Sequence, residues 1–265
     1  MAEPALITRR EGAVLILTNN NPAARNALSP EFYAGLTAAL HAATGDPTVG
    51  AIVLTGEGGH FCSGGDLRQL AKRRELPLPE RRLKLEGLHN MIRAVRDCPK
   101  PVITAVEGAA AGAGLSLALA GDMLVAAKNA VFSVAYVKVG LTPDGGATAL
   151  LAEFVSRQVL TELCLTGERV SGERMHQLGV VNRLTEPGQA LETALALAQQ
   201  VAAGPELANA RIKHLCRLAP RNTLEQQLDL EALYMPLSQE TEESREGINA
   251  FLEKRTPDYA RLRKA

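Results

Sequence analysis

The chain has 265 residues, with 29 Lys and Arg against 29 Asp and Glu, so its formal charge is zero. Apolar residues make up 46% and charged residues 22%, ordinary globular usage that excludes a disordered polar segment and a uniformly basic surface for nucleic acid or acidic membrane. Aromatic residues are only 3%, with no Trp, so the core must be built from Ala, Leu, Val and Ile, and the composition argues against aromatic stacking platforms for single-stranded nucleic acid.

In chain order, residues 13–17 and 51–55 read as strands, short and rich in Val and Ile between turn residues. The helix between them has Ser29 as its cap, Pro30 in its first turn, and Phe32, Leu36 and Leu40 at helical spacing. Residues 68–80, with Arg68, Lys72, Arg73, Arg74, Pro77 and Pro79, read as a loop flanking a pocket. Residues 81–97 form an amphipathic helix stopped by Pro99 and Pro101. Strands follow at 101–106 and 123–126, separated by a small, apolar helix. Glu107, Asp122 and four glycines interrupt this apolar stretch, so it reads as buried strand and helix rather than a membrane span.

This alternation implies an α/β core with largely parallel strands. After Pro187 only helices are expected, at 190–203, 206–217, 224–235 and 240–254. A boundary at Gly204–Pro205 divides the chain into residues 1–204 and 205–265. The N-terminus shows no basic segment followed by an apolar one, and Cys62, Cys98, Cys164 and Cys216 are far apart. A cytoplasmic protein with reduced thiols is expected, without a zinc site or disulfide framework. The five histidines have no metal-ligand spacing.

Two glycine loops carry chemistry. Cys62-Ser63-Gly64-Gly65-Asp66 and Gly108-Ala109-Ala110-Ala111-Gly112-Ala113-Gly114 each follow a strand and open a helix. Each is also readable as simple structure: a turn with Asp66 as a helix cap, and close packing of a buried helix. Together they offer two backbone N–H donors that could converge on a carbonyl oxygen, an oxyanion hole in which one donor is commonly worth about 2.7–4 kcal/mol of barrier. Gly112-Ala113-Gly114 fails as a dinucleotide fingerprint because Leu117 takes the third glycine position. Gly114-Leu115-Ser116-Leu117-Ala118 fails as a nucleophile elbow because Ala118 replaces the last glycine.

With Pro22-Ala23-Ala24-Arg25-Asn26-Ala27-Leu28, Gly140-Leu141-Thr142-Pro143-Asp144-Gly145-Gly146, and Glu246-Gly247 through Ala250-Phe251-Leu252-Glu253-Lys254-Arg255, these segments resemble the crotonase, or enoyl-CoA hydratase/isomerase, superfamily over nearly the whole chain. The resemblance implies an α/β spiral of ββα units with a C-terminal helical trimerisation region, and trimers that can pair into hexamers. It implies an acyl-CoA thioester substrate, with coenzyme A as part of that substrate and no permanently bound cofactor. By position, Gly65 and Ala113 would grip the thioester oxygen. Arg25, Ala27 and Leu28 would line the CoA channel, and Phe251 and Lys254 would approach the CoA nucleotide, in this family typically from a neighbouring subunit.

The hydratases of this family use two glutamates, and the corresponding places here hold Ser116 and Tyr136. Asp144 resembles the acid/base of isomerase-type members and the nucleophile of aromatic dehalogenases; it is also readable as a helix N-cap, and the two roles can coexist. The reading is an enoyl-CoA isomerase in which Asp144 shuttles a proton, with Ser116, Tyr136 and Arg68 shaping the acyl pocket. The alternatives are a hydratase using Asp144 and water, and a non-catalytic acyl-CoA binder with a decayed site. A dehalogenase and a serine hydrolase at Ser116 are poorer fits.

Overall fold

The computed structural model describes residues 3–263. Its main sheet contains β1 (Leu6–Glu11), β2 (Val14–Asn19), β3 (Ala51–Gly56), β4 (Val102–Val106), β6 (Met123–Ala127) and β9 (Arg183–Thr185), in the order β1-β2-β3-β4-β6-β9. β1 and β2 form an antiparallel hairpin, and every other pair in this sheet is parallel. A small second sheet holds β5 (Ala109–Ala111), β7 (Val131–Ser133) and β8 (Val170–Ser171).

Strands β2, β3, β4 and β6 are apolar on both faces, as parallel strands covered on both sides must be. Alternation along each strand divides the interior in two. Leu15, Leu17, Ile52, Leu54 and Val102 face the larger core. Val14, Ile16, Ala51, Val53 and Ile103 face the smaller one.

On the larger side lie α1 (Pro30–Gly45), α2 (Leu67–Arg73), α3 (Leu78–Asp97), α4 (Ala113–Ala120), α5 (Ala147–Leu151), α6 (Arg157–Thr166) and α7 (Gly172–Gln177). α8 (Ala190–Ala202) closes the other face with Ala190, Ala194, Leu197 and Ala198. Ser29 caps α1 as expected, its hydroxyl accepting from the Phe32 N–H. The expected loop at 68–80 is a correction: it contains α2 and the start of α3. Asp66 caps α2 through the Arg68 N–H, and Pro79 sits in the first turn of α3, where a missing N–H costs nothing.

The remaining helices are α9 (Glu206–Leu218), α10 (Leu224–Gln239) and α11 (Glu242–Leu252). Among the described residues, none after Ala202 joins either core. This layer is tied down by polar contacts instead: Lys213 pairs with Asp122 at 2.7 Å, and Lys100 pairs with Glu206. Large apolar side chains stay exposed on it, among them Leu224, Leu233, Met235 and Phe251. No helix among the described residues is long and apolar enough to cross a membrane.

Candidate active site

Three chain segments lie side by side at the C-terminal ends of the central strands. The Ser63 N–H donates to Arg25 O (3.0 Å) and the Leu28 N–H to Gly64 O (2.8 Å). The Cys62 N–H donates to Ala109 O (2.8 Å), and the Ala111 N–H donates back to Cys62 O (3.0 Å). Asn26, fully buried at φ +57°, holds the first segment in place. Its amide nitrogen donates to Glu57 O and His60 O, and its side-chain oxygen accepts from the Asn21 N–H.

This zipper brings the Gly64–Gly65 turn against the start of α4. A Cβ on Gly64 would stand 2.7 Å from Ala111 O and 3.6 Å from Ala113 N, and Gly64 has φ +101°, so only glycine fits. A Cβ on Gly114 would stand 2.3 Å from Cys62 O. Ala113 is the first residue of α4, so its N–H has no partner within the helix. Neither it nor the Gly65 N–H donates to a carbonyl among the described residues. The result is two backbone donors without a carbonyl partner on adjoining segments; two donors aimed at one oxygen would stabilise negative charge on it.

Asp144 is held against α4 and the turn that precedes it. Tyr136, at the bend of residues 135–139, lays its ring 3.8 Å from where a Cβ on Gly112 would be. The Tyr136 hydroxyl donates to Asp144 Oδ1 at 2.7 Å, and the hydroxyl of Ser116, in α4, donates to Asp144 O at 3.0 Å. The helix-cap role for Asp144 is not observed. α5 begins at Ala147 with Gly146 as its N-cap, and the Asp144 carboxylate turns to Tyr136 instead. Burial pushes the Asp144 carboxyl above its ordinary value, outweighing the Tyr136 hydrogen bond and the charges of His89 and Arg73, which pull it down. Burial also raises the Tyr136 phenol, with the Asp144 charge adding to it.

A cleft of about 920 Å³ opens between α1, α2 and α3; Asp144 is not on its wall, but Leu88, next to the cleft-lining Gly87, stands 3.5 Å from where a Cβ on Gly145 would be. Tyr33 and Arg73 line the cleft. Burial raises the Tyr33 phenol to about 12. Arg68 is exposed on α2 and is not on the cleft wall, which α2 supplies through Gln69, Lys72 and Arg73. Tyr33 carried no sequence signal, because on α1 it neighbours the apolar stripe and reads as an ordinary surface tyrosine.

The residues expected to meet CoA are separated in the fold. Arg25 is exposed at φ +49° beside the glycine loops. The N–H groups of Ala27 and Leu28 are spent on Ala24 O and Gly64 O, and the Ala27 carbonyl accepts from Asn21 Nδ2 at 3.4 Å. Phe251 is 82% exposed on α11, and Lys254 follows that helix at φ +55°; the structure brings neither into hydrogen-bonding contact with the glycine loops.

Comparison with known proteins agrees with this geometry. The family model for enoyl-CoA hydratase/isomerase matches residues 9–262. The chain is 37% identical to a 1,2-epoxyphenylacetyl-CoA isomerase of Escherichia coli, over 96% of this chain and 97% of that one. It is 35% identical to a 2,3-dehydroadipyl-CoA hydratase of the same organism, over 96% and 98%. A crystal structure of an enoyl-CoA hydratase from Polaromonas superposes with a TM-score of 0.93 at 48% identity, covering 96% of this chain and 98% of that one.

Proposed function

This chain belongs to the enoyl-CoA hydratase/isomerase family of acyl-CoA enzymes, and we propose that it is an isomerase that moves a double bond by a proton shuttle. The Gly65 and Ala113 N–H groups hold the thioester oxygen. The Asp144 carboxylate takes a proton from the α or γ carbon of an unsaturated acyl group, leaving an enolate whose charge rests on that oxygen. The same proton returns to another carbon, so the double bond shifts and no atom is gained or lost. Coenzyme A enters and leaves with the substrate, and the reaction calls for no resident cofactor.

One observation carries this reading. The two places where the family's hydratases hold glutamates are occupied by Ser116 and Tyr136, and both side chains donate to Asp144. A single carboxylate suffices to remove and return one proton. Adding water asks for a second group, to activate the water while the first delivers a proton.

Purified protein should be incubated with enoyl-CoAs that differ in double-bond position and ring content, and the products weighed. Unchanged mass with a moved double bond, lost in Asp144→Asn, supports isomerisation. A gain of one water assigns the hydratase reading, which the hydratase names among the relatives favour. Binding of CoA esters without turnover across the panel would remove the catalytic reading. The exposed apolar side chains of α9, α10 and α11 support a homotrimer, or a dimer of trimers, as the working form. Light scattering on the purified chain tests it, and a monomer at micromolar concentration refutes it. Cytoplasmic residence is part of the same reading.

A further inference from the structure

The cleft between α1, α2 and α3 has an uneven charge. Lys72, Arg73 and Lys84 line it, His41 stands on its α1 wall, and no Asp or Glu does. Among the described residues none of these three cations makes an ion pair, although the chain as a whole has equal numbers of both charges. The neighbouring carboxylate Glu86 is already engaged by Arg93 at 2.9 Å and by His89 at 3.4 Å. Leu76 and Leu83 give the same cleft an apolar lining. An apolar channel with unpaired cations on its wall matches a chain-like ligand that ends in an anion.

We propose that this cleft recognises an acyl group bearing a carboxylate at its far end, held by Lys72, Arg73 and Lys84. The proposal rests on the reading above only for its acyl-CoA substrate. The helices that wall the cleft also flank the glycine loop and Asp144: Leu70 of α2 stands 3.5 Å from where a Cβ on Gly65 would be, and Leu88 of α3 3.5 Å from a Cβ on Gly145, so an acyl chain reacting there has the cleft as its continuation. Phosphates of the CoA moiety are the other anions that such cations could hold, and the experiment separates the two sources.

Binding is measured by calorimetry with saturated thioesters, which need no turnover. Adipyl-, suberyl- and sebacyl-CoA are paired with hexanoyl-, octanoyl- and decanoyl-CoA, and the pantetheine thioesters of the same acids form a parallel set. The expected result is about tenfold tighter binding of the best dicarboxylyl ligand over its neutral partner, in both the CoA and the pantetheine series. That preference should weaken with salt and fall toward unity in Lys72→Ala/Lys84→Ala and in Arg73→Met. No preference for any dicarboxylyl ligand in the wild type overturns the proposal. So does an equal loss for both members of each CoA pair with no change for the pantetheine thioesters, since the cations then hold the CoA phosphates. Because these ligands are not turned over, failure of the isomerase reading leaves this test intact.

Discussion

The Tyr136 hydroxyl donates to Asp144 Oδ1 at 2.7 Å, while the backbone of Asp144 is held through its carbonyl by Ser116. The carboxylate is thereby fixed in direction with one oxygen unspent by this bond. It is also partly desolvated, which makes it a stronger base than a carboxylate in water. Asp144→Asn should lower kcat by about 10²–10⁴-fold, the usual worth of a positioned general base, while CoA-ester affinity survives. Turnover within a few fold of wild type would remove Asp144 from the mechanism.

The same substitution has a stability signature. A carboxyl whose folded pKa lies above its unfolded value costs stability when ionised. The cost is absent below the unfolded pKa and complete above the folded one. Asp144→Asn should therefore raise the unfolding free energy at neutral pH, within the roughly 0.5–2 kcal/mol common for a single stabilising substitution. The gain should disappear in acid, and urea melts at both pH values read it directly.

Tyr136→Phe removes a hydrogen bond that favours the charged form of Asp144. The Asp144 pKa should then rise further, because the burial that already lifts it remains. Activity that needs the carboxylate increases with pH through that pKa. The acid limb of the kcat/KM profile should move to higher pH in Tyr136→Phe, and activity at high pH should recover more than activity at low pH. A parallel loss at every pH would mean that the tyrosine only shapes the pocket.

Much of this arrangement is legible in the chain itself, and the parts that are not have physical reasons. Ser29 and Pro30 announce α1, and the Val/Ile runs of β2 and β3 announce a sheet buried on both faces. β1 is hidden because Thr8, Arg9 and Arg10 leave it mostly exposed and without alternation. α2 is hidden because its seven residues carry three cations and no buried side chain. Pro77 and Pro79 suggest a loop, yet proline at a helix start is favourable, so α3 begins at Leu78. The glycine loops are visible as motifs, but their union is not. It depends on hydrogen bonds between Cys62 and both Ala109 and Ala111, nearly fifty residues on, and no local pattern encodes these. Asp144 stands out by its place before a helix. Tyr136 is marked by the family resemblance as a pocket residue, but its hydrogen bond to Asp144 becomes visible only once the turn at residues 135–139 folds it back.

The donor role of Ala113 can be isolated without disturbing the helix. Ala113 is the first residue of α4, where proline is tolerated and where its only backbone loss is the N–H. Ala113→Pro should keep the circular dichroism spectrum and lower kcat by about 10²–10³-fold, the usual cost of one missing oxyanion donor. Ala113→Gly retains the N–H and should stay far more active. Equal activity of the two variants would mean that this amide does not face the thioester.

The C-terminal layer should respond to acid separately from the core. Glu246 is buried, accepts from Arg255 at 2.6 Å and from the Asp258 N–H at 2.8 Å, and also pairs with Arg261. Its hydrogen bonds to Arg255 and the Asp258 N–H, together with the two arginine charges, outweigh burial and hold its pKa at about 2, well below its ordinary 4.5. For a carboxyl depressed in this way, the stabilisation is complete above the unfolded pKa and is lost as pH falls from about 4.5 toward 2. Hydrogen exchange in α11 should therefore accelerate across that window. Glu246→Gln should already exchange fast at neutral pH and show little further change on acidification. If the wild-type helix keeps its protection down to pH 2, the Glu246 cluster does not anchor this layer.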